Sequence, residues 1–208
     1  YVNIDDPAIQ QLGSVNTICF EPNRLTGANT DFTGFLKSYR AARGNQKAGH
    51  VLLIGAGGVG RSIGFALTQL GADTLTILDT DQHKAARFVK AINQFMPGLA
   101  MVADENAMRG FDAVVNCSPA GMNGYGGLPL PYKLIPTDFD WAFDAVYQPV
   151  ETPFKQMIEA RGIQFISGFE LFFRQGVDAF SIFTGSDVKD EMALKDVLFR
   201  TLCRGDNF

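Results

Sequence analysis

The sequence predicts an α/β fold built on a doubly wound, six-stranded parallel sheet, and three observations predict it. From residue 50 onward, short apolar runs of strand type alternate with helical stretches, the pattern of parallel strands joined by crossover helices. The first of those runs, Val51-Leu52-Leu53-Ile54, leads directly into Gly55-Ala56-Gly57-Gly58-Val59-Gly60 and then a helix. The 208 residues, 46% hydrophobic and 19% charged, suit a globular protein with one sizeable core and a smaller appendage.

Each element follows from local pattern. Val15 to Phe20 is β-branched and aromatic, Glu21-Pro22-Asn23 interrupts it, and Leu25 to Thr30 resumes it, which reads as two short strands. From Asp31, taken as the N-cap, Phe32, Phe35, Leu36 and Tyr39 recur at helical spacing until the polar stretch Arg43 to Lys47. Strands are expected at 51–54, 75–78, 99–102, 113–116, 141–145 and 163–166. Helices are expected after the glycine loop to about Leu70, from about Asp81 to Phe95, from Thr152 to Arg161, and from Phe169 to Phe183. The Gly/Pro-rich stretch Gly121 to Pro136 fits neither period and reads as a loop near a ligand. A last helix is expected from Asp187 to Leu202, with Met192, Val197 and Leu198 on its apolar side.

The net charge of -4 disfavours nucleic-acid and anionic-membrane partners, since a net negative body does not attract phosphates or acidic lipids. Cys19, Cys117 and Cys203 are odd in number and lack metal-ligand spacing, which fits free thiols in a reducing cytoplasm. No metal is expected. No apolar run reaches about eighteen residues, and the N-terminus has no basic stretch followed by an apolar one, so a soluble, cytoplasmic protein is expected. The opening Tyr1-Val2-Asn3 lacks an initiator methionine, and a processed or truncated chain is expected.

Gly55, Gly57 and Gly60 match G-x-G-x-x-G between a buried strand and a helix. The first allows the tight turn, the second lets a pyrophosphate approach, and the third lets helix and strand pack closely. Free N–H groups at the helix start then hold the anion, so the sheet is expected to be of Rossmann type and to bind a dinucleotide. Asp79 ends the second strand, where a carboxylate can accept hydrogen bonds from the adenosine ribose and would repel a 2′-phosphate. The expected cofactor is therefore NAD, with NADP the lesser alternative. Asp79 could instead cap the following helix, with Asp81 a competing cap; Lys84 and Arg87 are the nearest positive charges. His50 and His83 are placed for solvent rather than catalysis, and no Ser-His-Asp set emerges.

Several segments together resemble the shikimate/quinate dehydrogenase family through almost the whole chain. Ser14-Val15-Asn16-Thr17 is similar to its A-V-N-T strand, and Gly27-Ala28-Asn29-Thr30-Asp31 to G-x-N-T-D. Asn116-Cys117-Ser118-Pro119-Ala120-Gly121-Met122 resembles N-[AC]-[ST]-P-x-G-M, the loop on the nicotinamide side. Asp144-Ala145-Val146-Tyr147-Gln148-Pro149 resembles D-x-x-Y-x-P. Gly168-Phe169-Glu170-Leu171 with Gln175 and Phe180 follows G-x-x-M…Q-x-x-x-x-F.

The resemblance implies that Asn16 and Asp31 bind substrate hydroxyls, with Asp31 the acidic half of a catalytic Lys–Asp pair. Gln175 would contact substrate from the cofactor domain, and Tyr147 and Gly168 would line the cleft between nicotinamide and substrate. The cofactor set is then Gly55, Ala56, Gly57, Gly58, Val59, Gly60, Asp79, Asn116, Ser118, Pro119, Met122, Val146 and Gly168. Purely structural roles are the alternative: Asn29 and Asp31 as turn and N-cap, Gln175 as a surface residue, Tyr147 as a packed aromatic. Residues 1–30 would be the remnant of a second α/β domain that binds substrate, 31–48 a linker helix and loop, and 49–185 the NAD(P)-binding domain. Residues 186–208 would be a C-terminal helix packing back on the substrate domain.

The family's catalytic lysine lies upstream of the A-V-N-T strand, and here the first lysine is Lys37, beyond Asp31. The lysine-bearing half of the substrate domain is thus expected to be missing, and this segment alone to bind NAD and turn over slowly. Leu78-Asp79-Thr80 stands where NADP-using members carry Asn-Arg-Thr. The expected activity is NAD-dependent oxidation of a ring alcohol of shikimate, quinate or a related cyclic polyol acid. The alternatives are an NADP-dependent biosynthetic shikimate dehydrogenase and a non-catalytic NAD-binding regulatory module. Its partner is expected to be a small-molecule substrate, and a homodimer is left open.

Overall fold

The computed structural model describes residues 1–104 and 109–204. Parts of two expected segments, 105–108 of 49–185 and 205–208 of 186–208, lie outside the described residues. A short helix, α1 (Pro7–Leu12), comes first, capped by Asp6, whose side chain accepts from the Ala8 N–H. It was not anticipated, because six residues are too few to display a helical period. Strands β1 (Thr17–Glu21) and β2 (Arg24–Ala28) form an antiparallel hairpin. Helix α2 (Thr30–Arg43) follows.

Six strands then make one parallel sheet: β3 (Gly49–Ile54), β4 (Ala72–Leu78), β5 (Ala100–Val102), β6 (Ala113–Asn116), β7 (Trp141–Asp144) and β8 (Gln164–Ile166). The spatial order is β5-β4-β3-β6-β7-β8, the doubly wound arrangement the alternating pattern predicts. The crossovers contain α3 (Gly58–Gln69), α4 (Gln82–Asn93) and α5 (Pro153–Ala160); α6 (Gly168–Thr184) and α7 (Glu191–Arg204) complete the chain.

The strands alternate their side chains between two cores. Val51, Leu53, Val115 and Phe143 face a layer made by α2, α3, α4 and α6, whereas Leu52, Ile54, Val114 and Ala142 face α5 and the segment carrying Leu130, Ile135 and Phe139. The stretch Gly121–Pro136 is irregular apart from a single 3₁₀ turn at Tyr132–Leu134.

Helix α2, expected as a linker, is packed into the main core. Phe35 meets Phe143 edge-on at 4.9 Å, and Tyr39 meets Trp141 at 5.1 Å. The Trp141 indole N–H donates to the Ala48 carbonyl at 3.2 Å. Its N-cap is Asn29 rather than Asp31: the Asn29 carbonyl oxygen accepts from the Phe32 N–H at 2.9 Å while its amide donates to the Ser14 carbonyl. Asp31 sits inside the first turn and does not cap it.

Helix α7 begins at Glu191, four residues later than expected, and its buried side differs from the expected one. Met192 and Val197 are 85% and 60% exposed, whereas Leu198 and Leu202 pack toward Phe169 and Val150. The difference lies in which helix α7 lies against: Arg174 pairs with Glu191 and Lys195 with Glu170, which sets its rotation on α6.

Candidate functional site

The sheet changes winding direction between β3 and β6, and the crevice at their carboxyl ends is where open α/β sheets take ligands. The glycine loop lies there. Gly55 has φ +101°, and a Cβ on it would stand 2.7 Å from the Cys117 carbonyl, so both its conformation and its closeness to the next strand require glycine. At Gly60 a Cβ would fall 1.9 Å from the Gly55 oxygen, which is the close packing of helix on turn that the motif demands.

Gly57 is different, since nothing lies within 4 Å of where its Cβ would be. It is the N-cap of α3, with no side chain to satisfy the first N–H groups of that helix. Open space in front of free helix N–H groups is what a pyrophosphate needs, so the loop fits the dinucleotide. Gly58 is equally open, and Val59 is half-buried beside it.

A cavity of about 660 Å³ extends from this loop over Asp79, Thr80 and Lys84, with Ser118 and Pro119 on the opposite side. Asp79 does not cap α4; Asp81 does, accepting from the N–H groups of His83 and Lys84 at 2.9 and 3.2 Å. Instead the Asp79 carboxylate takes the Ala56 N–H at 2.7 Å and the Asp81 N–H at 2.8 Å. It ties the end of β4 to the glycine loop and puts a negative charge on the cavity wall. Lys84 lines the same cavity, and Arg87 is exposed on α4.

A second cavity of about 420 Å³ adjoins the first through Cys117, Ser118 and Pro119. One wall is the segment after β6, including Met122; the other is the segment after β7, including Val146 and Tyr147, with Val59 between. Tyr147 stacks on Phe172 of α6 at 4.6 Å, with ring planes 16° apart.

Two residues expected to line this region do something else. Asn116 is fully buried: its oxygen accepts from the Ser118 N–H and hydroxyl, and its amide donates to Asp144 at 2.9 Å. A side chain so committed shapes the loop and has nothing left for a ligand. Gly168 is also buried, and a Cβ there would stand 2.5 Å from the Val146 oxygen and 2.6 Å from the Asp144 oxygen. It lets the start of α6 close on the backbone after β7 and does not itself form the wall.

At the other end, the Asn16 side-chain oxygen accepts from the Thr30 N–H at 2.9 Å and from the Thr17 hydroxyl at 3.0 Å, and its amide is hydrogen-bonded to Asp31. Burial pushes the Asp31 carboxyl above the ordinary carboxylate range, and the Asn16 hydrogen bond opposes that. Gln175 lies on α6 where that helix packs tightly on α2, since a Cβ on Gly34 would be 3.0 Å from the Gln175 nitrogen. Gln175 and Thr30, the neighbour of Asp31, line the same apolar cavity of about 830 Å³. Lys37 does not reach Asp31; it pairs with Asp178, which also accepts from Thr33. Among the described residues no three His, Cys, Asp or Glu side chains gather as metal ligands, and no helix is long and apolar enough to cross a membrane.

Sequence reasoning missed Asp144 and Thr152 as a pair. Asp144 is 1% exposed at the end of a strand that is otherwise apolar, and it accepts from Asn116, from the Val146 N–H at 3.1 Å and from the Thr152 hydroxyl at 2.7 Å. A carboxylate closing a fully buried strand was the available signal. Burial raises its pKa from 3.8 to about 6, against the three hydrogen bonds that lower it.

No family model matches the chain. Among curated proteins it is 34% identical over 196 residues to the shikimate dehydrogenase (NADP(+)) of Streptomyces avermitilis, with 92% of this chain and 67% of that protein covered. The chain belongs to the shikimate/quinate dehydrogenase family. It is also 34% identical to the quinate/shikimate dehydrogenase (NAD(+)) of Corynebacterium glutamicum strain R over 181 residues, covering 84% of this chain and 64% of that one.

Solved structures agree. The quinate dehydrogenase from Corynebacterium glutamicum in complex with NAD superposes with a TM-score of 0.85 at 29% identity, over 96% of this chain and 72% of that one. Shikimate 5-dehydrogenase from Thermus thermophilus in complex with NADP(H) and shikimate gives 0.80 at 28% identity, over 97% and 73%. The Rossmann-type sheet is therefore that of the family. The chain spans about two thirds of its curated relatives and corresponds to their C-terminal portion.

Proposed function

We propose that the chain carries the cofactor-binding part, and the adjoining edge of the substrate site, of an NAD-dependent dehydrogenase acting on a ring alcohol of shikimate, quinate or a related cyclic polyol acid. The observation that carries this is the pairing of an open Gly57 at the start of α3 with a carboxylate, Asp79, fixed on the Ala56 N–H. Two neutral ribose hydroxyls suit that carboxylate, and a 2′-phosphate would meet its charge. Bound NAD would accept the hydride, so the protein must place the alcohol and take its proton.

Residues 49–185 form the cofactor domain in this reading, and residues 1–30 belong to the substrate domain. Asn16 orients Asp31 through their hydrogen bond, and Asp31 in turn holds a substrate hydroxyl. Gln175 reaches the same substrate from α6, and Tyr147, held flat on Phe172, closes the nicotinamide side together with Ser118, Met122 and Val146. Lys37 is engaged by Asp178, and this reading takes the lysine partner of Asp31 from outside these 208 residues, as the family resemblance implies. A second reading, NADP as cofactor, is favoured by Lys84 on the cavity wall opposite in sign to Asp79.

Titration of the 208-residue chain with NAD+ and NADP+ separates the two. NAD+ should bind more tightly, and Asp79→Asn should erode that preference by about tenfold. Equal preference before and after would remove Asp79 from the account. Shikimate and quinate oxidation by this chain should be slow; turnover at ordinary dehydrogenase rates would refute the need for a further lysine.

A further inference from the structure

The walls of the 420 Å³ cavity belong to two separate stretches of chain, one leaving β6 and one leaving β7, and something must hold them at a fixed separation. The strand ladder ends at the pair Asn116 and Asp144. Beyond it, among the described residues, the backbones share only the bonds from the Ala145 N–H to the Asn116 carbonyl and from the Asn123 N–H to the Gln148 carbonyl. The side chains of the last ladder pair take over there. Asn116 folds its own loop back by accepting from Ser118, and Asp144 does the same by accepting from Val146 and Thr152. The amide of Asn116 joins the halves by donating to Asp144 at 2.9 Å.

Asn116, Asp144 and Thr152 are 0%, 1% and 1% exposed, so none of them can touch a ligand. Their whole effect is on where Ser118, Val146 and their neighbours stand. The geometry points to Asp144 as a positioning residue, the centre of a buried relay from Ser118 to Thr152 that sets the width of the nicotinamide-side cavity. This rests on the proposed function, in which that cavity takes the nicotinamide half of the cofactor while the glycine loop and Asp79 take the adenosine half. Removing the carboxylate leaves the Val146 N–H without its acceptor and the Asn116 amide with only its long 3.4 Å bond to the Ala120 carbonyl, and the loops must move apart to satisfy them.

The test compares two ligands on the full chain by calorimetric titration: NAD+, which reaches both cavities, and AMP, which reaches only the first. Asp144→Ala should weaken NAD+ roughly tenfold or more and AMP several-fold less, because the Ser118 loop borders both cavities while the Val146 side borders only the second. Asp144→Asn, which keeps an acceptor for Asn116 and Val146 and can donate to Thr152, should restore NAD+ to within about threefold of the parent chain. Should Asp144→Ala not fold, Thr152→Val carries the same comparison, with a smaller loss in the same direction. NAD+ and AMP weakening in parallel, or neither weakening in a folded variant, overturns the relay. A parent chain that binds AMP but neither NAD+ nor NADP+ overturns the proposed function instead, so the two failures are distinguishable.

Discussion

Asp144→Asn should make the protein more stable at neutral pH and nearly indifferent at acid pH. In the folded chain burial raises the Asp144 pKa from 3.8 to about 6. Between those values the native state holds a proton that the unfolded chain has released, so stability falls as pH rises. The contribution is fully present below about pH 4 and gone above about pH 7. At about 1.4 kcal/mol for each tenfold change in proton affinity, the fold gives up roughly 3 kcal/mol over that window.

An asparagine never ionises, so the stability difference between variant and parent should grow by about that amount from pH 4 to pH 7.5. Other titrating groups act equally in both proteins and cancel. The neighbouring Cys117 thiol, which burial, Asp144 and Asp31 all push up, stays protonated throughout. Urea unfolding at four or five pH values measures the difference, and Trp141, the single tryptophan, reports it from the same buried strand as Asp144. A difference that stays constant across pH, or that shrinks toward neutrality, would refute the reasoning.

Other outcomes follow from particular contacts. Gly60→Ala puts a methyl group 1.9 Å from the Gly55 oxygen and should cost about 1–3 kcal/mol while weakening NAD+, because the turn that presents Gly57 must shift; unchanged unfolding and unchanged NAD+ titration would contradict the packing. Phe35→Ala removes a fully buried ring packed on Phe143 and should cost about 3–5 kcal/mol in urea unfolding, a test of whether α2 belongs to the main core. Asp178→Ala frees Thr33 and Lys37 from α6 and should cost about 1 kcal/mol, the Lys37 share being small because that side chain is 55% exposed; hydrogen exchange at the start of α2 should rise with it.

The glycine loop was legible because its requirements are local: a strand, six residues and a helix, each recognisable from neighbours in the chain. Strands such as Gly49–Ile54 and Ala113–Asn116 were legible because both faces are buried along the apolar runs Val51-Leu52-Leu53-Ile54 and Ala113-Val114-Val115. The N-cap of α2 was not, since Asn29 and Asp31 are both good caps and only the path of the chain past Ser14 chose Asn29. Nor was the rotation of α7, where Met192 and Val197 look as apolar as Leu198 and Leu202 until α6 fixes which side faces inward.

Residue chemistry and spacing by themselves determined the sheet and the glycine-rich turn, whose signals are written in short stretches of chain, while the dehydrogenase family showed in the joint resemblance of several such stretches. Only the tertiary structure decided what Asn116, Asp144 and Thr152 do. They come from a strand end, a second strand end 28 residues later and a helix cap 8 residues beyond that. A buried hydrogen-bond network depends on how strands stack, which no local pattern records.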